Sequence, residues 1–334
     1  VMAFGTWYSN VIDKRKEALK AYVKSIILDK EIMLLSLNGD ASFRRYFRVA
    51  DTSYIAVDAP PQTQKNQEFI QIDEALASSK VKVPKIIAYD LDQGFMLLED
   101  LGDTTFAKVA IGDRQEYFYQ KAIEVLGKIA TVSLPSLPKF DEAFIKFELS
   151  LFDTWMLDKA LKVTLTESER NDLNEAYDYL TANCLMQEQI AMHRDYHSRN
   201  LMVCQNDELA VIDFQDMVKG PLCYDLASIV YDCYVVLDKA LVNNLTIRAY
   251  DLYQSKGFLK DLSYEKFLNQ LRLTSLQRHV KVLGIFCRLS IRDGKDGYLK
   301  DLPRVINYVL TECGDDPKLL KLKQIIEKYV VGKF

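Results

Sequence analysis

Three residues with oxygen-bearing side chains stand at a spacing that suits phosphoryl transfer. Asp195 and Asn200 form a D-x4-N pair in HRDYHSRN (193–200), and Asp213 follows at the end of LAVID. Moving a phosphoryl group from ATP asks little covalent chemistry of a protein. It asks for magnesium held against the phosphates and for a group that takes or orients the proton of the acceptor hydroxyl. Magnesium takes hard oxygens from few protein groups. A strand-end carboxylate and one amide oxygen meet that demand. Asn200 and Asp213 are therefore the candidate metal ligands, and Asp195, on the loop before them, is the candidate base. Taken singly, the three read as a turn start, a cap and a strand end. Their joint spacing, followed by FQD and GPLCYDLAS, favours the chemistry.

Such residues need a short hairpin to bring Asn200 and Asp213 to one end. NLMVCQ (200–205) and LAVIDF (209–214) supply two apolar strands around ND. Around them lie amphipathic segments of helical period at 115–131, 142–161, 167–186, 224–256, 263–289, 301–312 and 316–330. Before Gly102 the pattern differs. A helix is expected over 11–28 and another over 67–79. Strands are expected at FRRYFRVA (43–50), YIAVDA (54–59), VPKIIAYD (83–90) and GFMLLED (94–100), with DTS as the turn between the first two. The chain reads as α+β: a small N-terminal lobe built on an antiparallel sheet (1–100) and a larger, mostly helical C-terminal lobe (101–334).

The length of 334 residues fits two lobes. A net charge of −4 argues against a broad nucleic-acid surface. No stretch approaches the ~20 apolar residues of a membrane span. The opening VMAFGTWYSN lacks a basic region followed by an apolar one, so no secretory leader is expected there. The six cysteines show no CxxC pair and read as thiols of a reduced cytoplasm. With three histidines, a histidine-rich metal site is excluded. A cytoplasmic monomer with a small-molecule substrate is expected.

HRDYHSRNLMV, VIDFQD and GPLCYDLAS together resemble the aminoglycoside phosphotransferase and choline kinase superfamily, which has the two-lobed protein-kinase-like fold. NGDASFRRYFRV (38–49), SYIAVDAPP (53–61) and LQRHVKVLGIFCRLSIRDGKDGYLKDLPR (276–304) are similar to one branch, the bacterial cell-wall sugar kinases that phosphorylate the anomeric hydroxyl of N-acetylmuramate and N-acetylglucosamine. The resemblance spans residues 38–310 and implies ATP and Mg2+. It makes Asp195 the catalytic base and Asn200 and Asp213 the metal ligands. His193 and Asp225 become structural braces of the catalytic loop. Arg194 stands where many small-molecule kinases have glycine.

The resemblance also places the nucleotide. The loop NGDASFRRYF (38–47) would cover the phosphates with the backbone N–H groups of Ala41, Ser42 and Phe43 and the charge of Arg44 or Arg45. Adenine would bond the Glu99 carbonyl and the Leu101 N–H. Related kinases carry a phosphate-binding lysine on the third strand; here Asp58 occupies that place. Arg44, Arg45 or Arg48 is then expected to supply the charge, oriented by Glu68.

For the acceptor, RLTSLQRHVKVLGIFCRLSIRDG (272–294) carries Arg278, His279, Lys281, Arg288 and Arg292. Such a helix is either a solvated face or a grip for an anionic sugar carboxylate. Arg278, His279 and Arg288, with Glu148 and Asp216, are the candidate substrate residues. Phe152 and Trp155 read as core. The basic C-terminus, LLKLKQIIEKYVVGKF, disfavours a polycationic aminoglycoside. The alternatives are a kinase of choline, homoserine or an aminoglycoside, and a non-catalytic pseudokinase-like module, for which the missing lysine is the only support.

Overall fold

The computed structural model describes residues 13–28, 31–37 and 44–334. Ala41, Ser42 and Phe43 of the expected phosphate loop lie outside the described residues. The chain forms two compact units: residues up to Glu74 with Val83–Gly102, and Ala75–Lys82 with Asp103–Phe334.

In the first unit, Asp13 caps α1 (Lys14–Ile26) by accepting the Lys16 N–H. Then follow β1 (Leu34–Ser36), β2 (Arg45–Val49), β3 (Tyr54–Asp58), α2 (Asn66–Ser78), β4 (Ile86–Asp90) and β5 (Phe95–Glu99). The strands make one antiparallel sheet in the order β1-β2-β3-β5-β4. The turn at 51–53 closes because the Thr52 hydroxyl donates to Val49 O at 2.8 Å and accepts the Tyr54 N–H at 3.1 Å. Leu19 and Val23 of α1 pack on Phe47, Ala56, Phe95 and Leu97. Gly94 has φ +75° and approaches Ala59 O so closely that a Cβ would sit 2.2 Å from it. The Ala59 N–H donates to Gly94 O at 2.8 Å, which locks β3 to β5.

The second unit contains α3 (Phe106–Val109), α4 (Gln115–Ile129), α5 (Glu142–Leu151), a π-helical continuation at Phe152–Ala160, and α6 (Glu167–Met186). It continues with β6 (Gln189–Met192), β7 (Leu201–Val203), β8 (Leu209–Val211), β9 (Val218–Pro221), α7 (Cys223–Val230), α8 (Lys239–Ser255), α9 (Tyr264–Ile291), α10 (Leu302–Cys313) and α11 (Leu320–Tyr329). β6 pairs with β9, and β7 with β8, both antiparallel. Helix α9 runs through the core, and Gly284 lets it cross the end of α5. A Cβ there would lie 2.2 Å from the carbonyl of Leu151. Phe152 is fully buried and Trp155 packs on the same core.

The α+β, two-lobed architecture is as expected, with three local differences. β1, β6 and β9 have three or four residues, too few to register as a period. The expected 142–161 helix widens into the π-helical segment. The expected 224–256 helix is broken into α7 and α8. At the break the Asp232 carboxylate accepts the Tyr234 N–H at 2.7 Å, and its other oxygen accepts the Ser198 N–H at 2.9 Å. That carboxylate offers the backbone an alternative to the helix. No helix among the described residues is long and apolar enough to cross a membrane. All six cysteines are free thiols.

Candidate active site

The loop after β6 is held from below by Asp225 near the start of α7. Its buried carboxylate accepts two successive backbone N–H groups, His193 at 2.7 Å and Arg194 at 3.1 Å. The His193 ring does the rest. One nitrogen, Nε2, lies 2.8 Å from Ile212 O, and Nδ1 accepts the Asp195 N–H at 3.2 Å. Those partners require a neutral ring with its proton on Nε2. His193 thus ties the loop to the strand end that carries Asp213, and neither nitrogen is left for a ligand.

Asp195, Asn200 and Asp213 meet at this point. Asn200 Nδ2 donates to Asp195 O at 2.8 Å and lies 3.5 Å from Asp213 Oδ2. Its Oδ1 takes no hydrogen bond from a described residue. Gln215 Nε2 donates to Asp213 Oδ1 at 2.8 Å. Asp213 has φ +57° and Arg194 φ +82°, both in the left-handed region that side chains disfavour. The glycine common at position 194 would sit there without strain.

Charge sorts the carboxylates. Burial would push the Asp195 carboxyl up, but the positive charges around it, Lys281 foremost and Arg194 beside it, outweigh burial and hold it below its ordinary value. Asp213 goes the other way. The crowding protein and the Asp195 charge raise it above the usual range, although it stays open to solvent on one side. A cation there relieves both effects. Asp213 and Asn200 Oδ1 are hard-oxygen donors, so this pair fits magnesium, which keeps several waters of its own. Among the described residues no group of three or more His, Cys, Asp or Glu side chains converges.

Beneath the loop lies a buried polar cluster. Glu148, 2 % exposed, receives Lys281 Nζ at 3.1 Å and Arg194 Nη2 at 3.2 Å on Oε2, and the Tyr224 hydroxyl at 3.0 Å and Gln277 Nε2 at 3.3 Å on Oε1. Lys281 also donates to the Tyr224 hydroxyl at 2.9 Å. Burial opposes the Glu148 charge, but Lys281 and Arg194 outweigh it and hold the carboxyl below its ordinary value. Both oxygens are filled from within, so Glu148 is a brace and not a substrate reader. His279 is corrected likewise. Nδ1 lies 2.7 Å from Glu312 Oε1, Nε2 lies 2.9 Å from Tyr231 O, and the ring stacks on Tyr308. Burial disfavours its charge, but Glu312 raises it to about 10, so it is a core cation. Asp216 is exposed, and its carbonyl lies 3.4 Å from Arg194 Nη1. Arg288 is half-buried; the guanidinium of Arg278 is buried beside the Tyr224 ring at 5.2 Å.

In the first unit, Asp58 is not a vacant phosphate-binding position. Its carboxylate receives Arg15 Nε at 2.7 Å and Arg45 Nη2 at 2.7 Å, and Arg45 also pairs with Asp13. Arg48 pairs with Asp100 at 2.6 Å. Arg44 lies over the Phe69 ring at 4.7 Å and donates to Asn66 at 3.2 Å. Glu68 is exposed and orients none of them; Asn66 and Phe69 are α2 residues that meet Arg44. β5 ends at Glu99, with Leu101 two residues beyond.

The phosphotransferase enzyme family model matches residues 34–259, a stretch that contains all three converging residues. The chain belongs to this family. It is 36 % identical over 302 residues to the N-acetylmuramate/N-acetylglucosamine kinase of Pseudomonas putida, covering 90 % of this chain and 89 % of that one. It is 32 % identical over 304 residues to the enzyme of the same name from Neisseria meningitidis, covering 89 % and 90 %. Choline kinase LicA from Streptococcus pneumoniae has the same fold, with a TM-score of 0.64 at 15 % identity over 89 % of this chain and 99 % of that one. LicA in complex with AMP scores 0.62 at 14 % identity, covering 89 % and 98 %. Sequence reasoning missed three residues that hold this loop and the cluster beneath it: Asp232, Tyr224, and Lys281 as a buried partner. Only the tyrosine in GPLCYD gave a local signal, by its place beside the brace Asp225.

Proposed function

We propose that the protein is an ATP-dependent sugar kinase that phosphorylates the anomeric hydroxyl of N-acetylmuramate or N-acetylglucosamine in the cytoplasm, in cell-wall sugar recycling. The observation that carries this reading is the convergence of Asp195, Asn200 and Asp213, in a chain related over nine-tenths of its length to two kinases of these sugars. The lobe of residues 1–100 serves the nucleotide and that of 101–334 the chemistry. Asp195, held ionised by the cations around it, accepts the acceptor's proton at its carboxylate. Asn200 Oδ1 and the Asp213 carboxylate hold Mg2+, which when bound neutralises charge on the phosphates. Glu99 O and the Leu101 N–H seat adenine. Arg44 and Arg45 supply positive charge to the phosphates. Arg278, Arg288 and Asp216 remain for the acceptor.

ADP release with Mg·ATP and each sugar tests the reading. Turnover is expected with one or both sugars. Asp195→Asn should lower kcat by at least about a hundredfold while nucleotide binding, read by titration, persists. Near-normal turnover by the variant would refute the assignment. So would turnover of choline or an aminoglycoside in preference to either sugar.

A further inference from the structure

Several cations of α9 and of the loop before Asp195 are neutralised within the protein. Lys281 and Arg194 share Glu148. His279 is paired with Glu312, and Arg292 with Asp293 at 2.9 Å. Arg278 differs. It is 4 % exposed, and its Nε and Nη1 have no acceptor. Its guanidinium makes no hydrogen bond or ion pair to a described residue. The Tyr224 ring, 5.2 Å away, offers only a weak electrostatic contact. A desolvated, unpaired cation is costly to keep. It is expected where an anion arrives.

The position of Arg278 says which anion. Arg278 and Lys281 stand over the Tyr224 ring at 5.2 and 5.6 Å, and Tyr224 and Lys281 meet Glu148, which also holds Arg194 beside the base. Arg278 thus belongs to the group of side chains fastened to Arg194, the residue before the base, where the acceptor comes. Of the two sugars, N-acetylglucosamine is neutral. N-acetylmuramate is the same sugar with a lactyl ether whose carboxylate is ionised at neutral pH. A planar guanidinium can give that carboxylate two parallel hydrogen bonds.

We propose that Arg278 binds the acceptor's carboxylate and so sets the preference between the anionic and the neutral sugar. This rests on the sugar-kinase reading above. The experiment measures kcat/KM for N-acetylmuramate and N-acetylglucosamine on the same preparation of the full-length protein, for the unaltered chain, Arg278→Gln and Arg278→Lys. The ratio of the two constants does not depend on the active fraction, so partial misfolding does not disturb it. In Arg278→Gln the ratio should fall against the anionic sugar by roughly thirtyfold, about 2 kcal/mol at 1.36 kcal/mol per decade. Arg278→Lys keeps the charge without the fork and should fall in between. If the glutamine variant does not fold, the lysine variant still reports the ratio. A ratio that moves by less than about threefold in the variants that fold overturns the proposal. So does an equal loss on both sugars, or the same shift produced by Arg288→Gln. Failure of the unaltered protein to phosphorylate either sugar sinks both readings; turnover with an unmoved ratio sinks only this one.

Discussion

Lys281→Met removes one of the two cations that hold Glu148 in the core. The pair is 3.1 Å long, and its side chains are 8 % and 3 % exposed. Breaking a pair so buried costs about 3–5 kcal/mol, because the orphaned charge stays desolvated. Arg194, Tyr224 and Gln277 still reach Glu148, so the loss should fall near the lower end, about 3 kcal/mol. Glu148→Gln strands two cations, Lys281 and Arg194, and should cost at least as much. The double variant is different. Methionine fills the lysine stem's space, and the glutamine amide oxygen still accepts from Arg194 or Tyr224. It should lie only about 1–2 kcal/mol below the unaltered protein, so the cycle couples by more than about 2 kcal/mol. Guanidinium unfolding at pH 7, followed by tryptophan fluorescence, gives the four free energies. Additive single losses, with coupling under about 0.5 kcal/mol, would show that the pair does not act as a unit.

Asp73 on α2 is 5 % exposed, its Oδ2 has no donor, and burial, with Glu74 and Glu99 nearby, raises it from 3.8 to about 7. The folded state then binds the proton more tightly than the unfolded one, so stability is lost as pH rises from about 4 to 7 and is flat above. Asp73→Asn should match the unaltered protein near pH 4 and exceed it above pH 7 by up to about 4 kcal/mol; parallel melting curves across that window would contradict this. Gly284→Ala puts a methyl 2.2 Å from the Leu151 carbonyl. It should cost about 3 kcal/mol, lower Tm by roughly 6–12 °C and reduce kcat by displacing α9; an unchanged Tm would mean that α9 does not cross there as described.

What was legible in the sequence is what is local. Asp195, Asn200 and Asp213 lie within nineteen residues of one loop and hairpin, so their spacing already implies their convergence. Helix α6 begins where Thr166 and Glu169 form a capping box, another short-range signal. The misreadings come from long-range pairing. His279 and Glu148 look like ligand-facing charges on helices. Their partners, Glu312 and Lys281, are 33 and 133 residues away, beyond any local pattern. The break between α7 and α8 has the same origin, because half of what Asp232 holds there is the Ser198 N–H on the catalytic loop.

Arg194 shows how the two scales combine. Its left-handed backbone costs roughly 1–2 kcal/mol that a glycine would not incur. Two anchors offset the strain: its own N–H bonded to Asp225, and its guanidinium on Glu148 and over the Phe144 ring at 4.8 Å. Glycine would keep only the first. With arginine, the residue next to Asp195 reaches the same carboxylate that Lys281 reaches from α9. The catalytic loop and the helix bearing Arg278 are therefore fastened to one buried group. A displacement of α9 that weakens the Lys281–Glu148 contact is therefore expected to reach Asp195 through Arg194.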